Sequence, residues 1–361
     1  MSLQGQPFVS VLTPVFNGEA YLVDCIESIL KQTYQNYEYI IVNNCSTDGT
    51  REIALRYAKQ DPRIRVHDNE TFVDVIANHN AAFRLMSPAA KYCKVVSADD
   101  FLFPECIARM VELAEANPSV GIVGSYQLSD DRVRWQGFKY PRAVVPGIEM
   151  GRKAILGRDR TFGFGSPTSN LYRADLVRST RAFYPNPNPH SDTSACLKAM
   201  QESDFGFVYQ VLSYERIHES TQSFASKKVN RFLPADVNDL VCYGPSFLNE
   251  DELARKLKEA LGTYHRYLGL NYFFGFRDKA FWDYHKTKLD ELGFPLKRRS
   301  LYKAVLTVAI TEALNPGQAI SRIWERWSAK KATGRVQAAQ PGGQPSRLRN
   351  DGQGARAGRG V

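Results

Sequence analysis

The first hundred residues alternate between short apolar runs and stretches with helical spacing, and each apolar run ends in polar residues. Residues 8–16 read as a buried strand interrupted by Pro14, followed by an Asn17-Gly18-Glu19 turn. Tyr21, Leu22, Cys25, Ile26, Ile29 and Leu30 then recur at helical spacing. Residues 37–42 form a second strand that runs into the polar loop 43–50, where Ser46 or Thr47 is placed to cap a helix over 50–60. Residues 64–67 read as a third, short strand, 80–86 as a helix and 93–96 as a fourth strand. This alternation predicts a parallel α/β sheet, and such sheets bind ligands beyond the carboxyl ends of their strands. Thr13-Pro14, Asn43-Asn44 and Asp99-Asp100 all fall at those ends. Three polar clusters on one edge are hard to explain as unrelated helix caps.

The pair Asp99-Asp100 is the sharpest of the three. Adjacent carboxylates repel each other unless a cation or hydrogen-bond donors offset the charge. A hard divalent metal that arrives with an anionic phosphate does so while using few protein carboxylates. The simpler alternative is that the two acids cap the helix patterned by Ile107, Met110, Val111 and Ala114.

Composition narrows the class. With 361 residues, 43% hydrophobic and 24% charged, the chain can bury a substantial core. The formal charge of +9 is uneven. Residues 328–361 carry Lys330, Lys331, Arg335, Arg347, Arg349, Arg356 and Arg359 against Asp351, so most of the excess belongs to the tail. That distribution, with no helix-turn-helix or zinc-finger pattern, argues against a nucleic-acid partner. Cys25, Cys45, Cys93, Cys106, Cys196 and Cys242 are scattered without a C-x-x-C pair, which fits reduced thiols in the cytoplasm. The opening residues lack the charged and apolar regions of a signal peptide.

Residues 9–22, 25–33 and 41–50 together resemble the nucleotide-binding half of a family 2 glycosyltransferase with the GT-A fold. The resemblance covers about 8–125 strongly and continues more weakly to about 225. It implies an α/β GT-A architecture over 1–230, a mostly parallel sheet flanked by helices. Such enzymes move a sugar from a nucleoside diphosphate donor, here of the UDP or dTDP type, to a saccharide or lipid-linked saccharide acceptor with inversion. A non-catalytic sugar-nucleotide-binding or scaffold protein is the rival reading.

Carried over by motif, the resemblance places Thr13, Pro14, Phe16, Asn17 and Glu19 against the nucleoside, and Asn44 where the family usually has an acid that reads the base. Asn80 stands where the family contacts the nucleotide. Ser97-Ala98-Asp99 stands at the D-x-D position, with Asp99, Asp100 and His218 as ligands of Mn2+ or Mg2+, and Arg216 as a phosphate partner. Asp192, at a helix start after the Pro-rich 185–189 stretch, corresponds to the catalytic base; a plain N-cap is its bland competitor. The Gly-rich stretch 163–169, ahead of a strand at 170–173, reads either as an acceptor-binding loop or as an ordinary connection.

From about Pro234 the pattern becomes helical and aromatic, which predicts a helical extension over 231–327 and a disordered basic tail over 328–361. Aromatic stripes there suit core or homo-oligomer contacts. Trp324, Trp327 and their basic flanks also permit a helix lying on the inner face of an anionic membrane. The most apolar run, 304–310, is far too short to span a bilayer.

Overall fold

The computed structural model describes residues 5–134, 139–157, 163–185, 189–218, 229–276 and 278–314. Four parallel strands begin the sheet: β1 (Val9–Val15), β2 (Tyr37–Asn43), β3 (Ile64–Asp68) and β4 (Tyr92–Val95). β1 is buried along its whole length, which is why it reads as a continuous apolar run rather than an alternating one. Between these strands lie α1 (Leu22–Leu30), α2 (Thr50–Ala58) and α3 (Val75–Arg84). α1 turns Leu22, Cys25, Ile26 and Ile29 into the core, as its spacing predicts.

The second half departs from a simple parallel sheet. It comprises β5 (Phe101–Leu102), α4 (Cys106–Ala116), β6 (Val120–Ser129), β7 (Arg132–Arg134), β8 (Val144–Val145), α5 (Gly147–Leu156), β9 (Asn170–Arg173), α6 (Ala174–Arg178), α7 (Ser191–Ala199) and β10 (Asp204–Glu215). The strand order is β3-β2-β1-β4-β9-β6-β10-β5, with β7 on β6 and β8 on β10. β9 is inserted antiparallel between β4 and β6, which themselves run the same way. The sheet is therefore mostly parallel with a reversed strand at its centre.

One expected helix start moves and one expected cap differs. The helix expected from Asn80 starts at Val75, because the Asp74 side chain accepts from Ala77 N and caps it there. The helix at Thr50 starts where expected but without a side-chain cap: Gly49 is its N-cap residue, not Ser46 or Thr47, and Asp48 Oδ1 accepts from Thr50 N at 3.1 Å.

Helices α8 (Phe232–Phe247), α9 (Glu250–Phe273), α10 (Lys279–Glu291) and α11 (Arg298–Leu314) form the extension. A capping box between Asn249 and Glu252 fixes the start of α9. The extension has its own small core around Val237, Tyr264, Leu268, Phe281 and Leu289. It docks on the sheet domain where Phe247 packs on Gly151, whose absent Cβ would lie 2.2 Å from that ring, and where Arg152 pairs with Glu252. The expected tail 328–361, together with Trp324 and Trp327, lies outside the described residues.

Candidate active site at the carboxyl edge of the sheet

Topology brings the predicted residues to one edge. β1, β2 and β4 end there, and β10, parallel to β6, ends there at Glu215. β9 pairs Leu171 with Lys94, so the 3-10 turn Pro167–Ser169 that precedes it sits at the same edge. α7 precedes β10 in the chain, and Asp192 lies in its first turn.

The centre is a cluster around Asp99. His218 Nε2 lies 3.0 Å from Asp99 Oδ2. Arg216 donates from Nε to the Asp99 carbonyl at 3.1 Å and from a terminal nitrogen to Asp24 Oδ2 at 3.0 Å. Its guanidinium stands 4.6 Å from the Tyr21 ring, and His218 packs on the same ring at 5.0 Å. Asp99, Arg216 and His218, far apart in sequence, thus lie together, with Tyr21 and Asp24 at the start of α1 beside them. Neither Asp99 nor Asp100 caps a helix, since α4 begins only at Cys106.

Asp100 departs from its expected place as a metal ligand. Its carboxyl is buried, accepting from Thr168 Oγ1 at 2.6 Å and from Arg216 N at 3.1 Å. Burial, with the charge of Asp99 added to it, raises its pKa well above the usual carboxylate range. The carboxyl is a clasp between the loops that carry Thr168 and Arg216. Thr168 completes the clasp by accepting from Ser97 N at 3.1 Å, and so holds the motif strand-end in place.

Lys94 had no part in the sequence reading. It is fully buried, and Nζ donates to the carbonyls of Thr168 at 2.6 Å and Asn170 at 3.0 Å. Burial depresses its pKa. A charged residue inside a strand-like run was the one available signal.

The residues expected against a nucleoside divide into exposed and committed groups. Phe16 is 47% exposed and packs edge-on against Phe72, itself 61% exposed, at 4.9 Å. Asn17 adopts a positive φ of 50° and accepts from Thr47 N at 2.8 Å, while Glu19 accepts from Gly49 N at 2.9 Å. These two side chains latch the β1 loop to the β2 loop. Ala98 is partly exposed beside Gly18.

Four nucleotide-binding expectations are corrected by burial. Thr13 is fully buried and its hydroxyl accepts from Tyr39, and Pro14 is buried within β1. Asn44 Oδ1 accepts from both Asn69 Nδ2 and Val73 N, and its Nδ2 donates to Val73 O, so its amide staples a loop and has no group turned to a base. Asn80 donates to and accepts from the main chain of Tyr184, both at 3.0 Å, deep in the fold.

Asp192 is partly exposed in the second position of α7, past the cap residue His190. Burial raises its pKa, against a hydrogen bond from Thr193 N at 2.8 Å. The helix start is moored to the extension: Asp239 of α8 accepts from Ser194 Oγ at 2.6 Å and lies 3.2 Å from His190 Nδ1. Burial opposes charge on His190, but Asp239 and Asp236, with Asp192, outweigh it and raise its pKa.

Among the described residues, no set of three or more His, Cys, Asp or Glu side chains is arranged to hold a metal, and no helix is long and apolar enough to cross a membrane. The Asp99–His218 pair offers one oxygen and one nitrogen, which fits a metal whose remaining ligands come from a diphosphate and water.

Residues 10–180 match the glycosyl transferase family 2 model. The putative glycosyltransferase EpsE of Bacillus subtilis is 29% identical over 261 residues, covering 72% of this chain and 86% of that protein. Glycosyltransferase GlyG of Streptococcus pneumoniae is 30% identical over 46% of this chain; the chain spans only 57% of it, and 22% of an uncharacterized Sinorhizobium fredii protein. Two solved structures share the fold. S. aureus TarS 1-349 in complex with UDP-GlcNAc has a TM-score of 0.59 and 15% identity, covering 81% of this chain and 82% of that one. The mannosyltransferase PcManGT of Pyrobaculum calidifontis, in complex with GDP-Man and Mn2+, has a TM-score of 0.52 and 14% identity, covering 93% and 88%. The converging strand-ends, the 10–180 match over just under half of the chain and these relatives make the chain similar to glycosyl transferase family 2, on a GT-A fold.

Proposed function

We propose that the chain is a metal-dependent inverting glycosyltransferase that moves a sugar from a nucleoside diphosphate donor, of the UDP or dTDP type, to a saccharide or lipid-linked saccharide acceptor. The observation that carries this reading is the Asp99–His218–Arg216 cluster at the carboxyl edge of the sheet. Asp99 and His218 are the residues that would hold Mn2+ or Mg2+. A metal there neutralises charge developing on the departing diphosphate. Arg216, fixed by the Asp99 carbonyl and Asp24, brings a second positive charge to the same phosphates.

Phe16 and Phe72 present an exposed aromatic surface for the nucleoside, and Asn17 and Glu19 hold the loops beneath it. Asp192 is the base that takes a proton from the acceptor hydroxyl as it attacks the anomeric carbon opposite the leaving group. A carboxylate raised by burial is a stronger base near neutral pH. Two neighbours of this fold, described with UDP-GlcNAc and with GDP-Man and Mn2+, support the donor class and the metal.

The test is calorimetric binding of a panel of nucleotides and nucleotide sugars, with Mn2+ and with EDTA. The wild type is expected to bind one diphosphate sugar in a metal-dependent manner, and Asp99→Ala to abolish that binding. Asp192→Asn is expected to keep donor binding and lose turnover by about 10²- to 10⁴-fold. The commitment of Asn44 to its loop favours a second reading, a sugar-nucleotide-binding protein without turnover. Transfer by the wild type to any saccharide acceptor eliminates it.

A further inference from the structure

The last described helix, α11, has two opposite faces. Ala304, Val308 and Glu312 are buried, and Gly269 of α9 packs so closely that a Cβ there would lie 2.8 Å from the Ala304 carbonyl carbon. About 200° around the helix, Tyr302, Leu306, Ile310 and Leu314 are 61%, 62%, 53% and 75% exposed. These four large apolar side chains recur every fourth residue and form one row along the outer surface. Arg298, Arg299 and Lys303 are exposed within or beside that arc. The one acid between 297 and 314 is Glu312, on the packed face.

We infer that this face of α11 docks on the surface of an anionic lipid bilayer, with the apolar row buried at the headgroup boundary and the basic groups against lipid phosphates. Charge selects this occupant. A second copy would bring the same basic cluster, with no acid on this face to answer it. The residues 328–361 carry an excess of arginine and lysine, so folding them over the row would also set like charges together. An apolar row with a cationic border and no exposed acid is the composition of a helix that lies in a membrane interface. The inference does not depend on which sugar is transferred, or on whether any is.

The experiment is co-sedimentation of the full chain with vesicles of phosphatidylcholine containing about 30% phosphatidylglycerol, and with phosphatidylcholine alone. Binding to the anionic vesicles is expected to be about tenfold tighter or more, and to weaken as salt is raised. The pair Leu306→Glu with Ile310→Glu is expected to cost about tenfold in partitioning. The pair Arg299→Glu with Lys303→Glu is expected to remove the preference for anionic vesicles. All four positions are exposed, so urea unfolding should be unchanged in both variants. Equal binding to both vesicle types, or anionic binding that survives both double substitutions, would overturn the inference. So would light scattering that shows Leu306→Glu with Ile310→Glu splitting a dimer while vesicle binding persists.

Discussion

Replacing Asp239 with Asn tests how the helical extension holds the start of α7. The carboxylate accepts from Ser194 Oγ at 2.6 Å and lies 3.2 Å from His190 Nδ1, and its side chain is only 8% exposed. Asn keeps the shape and one acceptor but drops the charge. The Ser194 bond then becomes a neutral one at every pH, a loss of about 1 kcal/mol. The His190 partnership behaves differently. Its pKa is raised in the folded chain, so the stabilisation is fully present below the unfolded histidine value and is lost as pH rises through the folded value. Asp236, 3.6 Å from the same nitrogen but 56% exposed, remains as a weaker partner. Exchanging a charge-assisted bond for a neutral one costs about 1–2 kcal/mol more while His190 is protonated. Asp239→Asn should therefore cost about 2–3 kcal/mol near pH 5.5 and about 1 kcal/mol near pH 9. Urea unfolding at the two pH values reads this directly. An equal cost at both, or a larger one at the higher pH, would refute the assignment of His190 as a charged partner of Asp239.

Three further substitutions probe the edge of the sheet. Thr168→Val removes the donor to Asp100 and the acceptor for Ser97 N at unchanged volume; a loss of about 2–4 kcal/mol is expected by urea unfolding. Because Asp100 also holds Arg216 N, metal-dependent nucleotide affinity measured by calorimetry should fall in the same variant. Lys94→Met leaves the carbonyls of Thr168 and Asn170 without a donor, and should cost about 2–5 kcal/mol, part of it offset by no longer burying an amine. Gly147→Ala would set a Cβ 2.0 Å from Ser203 O and 2.3 Å from Met200 O, both main chain, so the urea midpoint should fall by an amount equivalent to about 3 kcal/mol.

The parts of the fold that were readable in the sequence are those whose signal is local. β1 and β2 are buried along almost their whole length, and strands in that setting are mainly apolar. The polar strand-ends stand out in the sequence because each short polar cluster follows directly on a buried apolar run. The unreadable parts depend on partners distant in the chain. Nothing near Asn44 announces that Asn69 and Val73 will occupy its amide, and nothing near Asn80 points to Tyr184, 104 residues away. Lys94 was hidden in the same way, since its two carbonyls come from a turn more than seventy residues later. The reversed strand β9 was found as a strand, but its direction is set by pairing with β4 and β6, which a four-residue run cannot encode.

That reversed strand also orders the assembly of the site in time. Residues 9–95 contain β1 to β4; β1–β2 and β2–β3 pair between consecutive strands, while β4 closes onto β1 between Val9 and Tyr92. The Thr168 clasp, Arg216 and His218 need β9 and β10 in addition, with contacts across 68, 116 and 119 residues. Contacts of such long separation form late, because their loop-closure entropy is met only once the local units exist. A refolding chain should therefore recover most of its secondary structure before it regains metal-dependent affinity for nucleotide, which makes ligand binding the reporter of the final step.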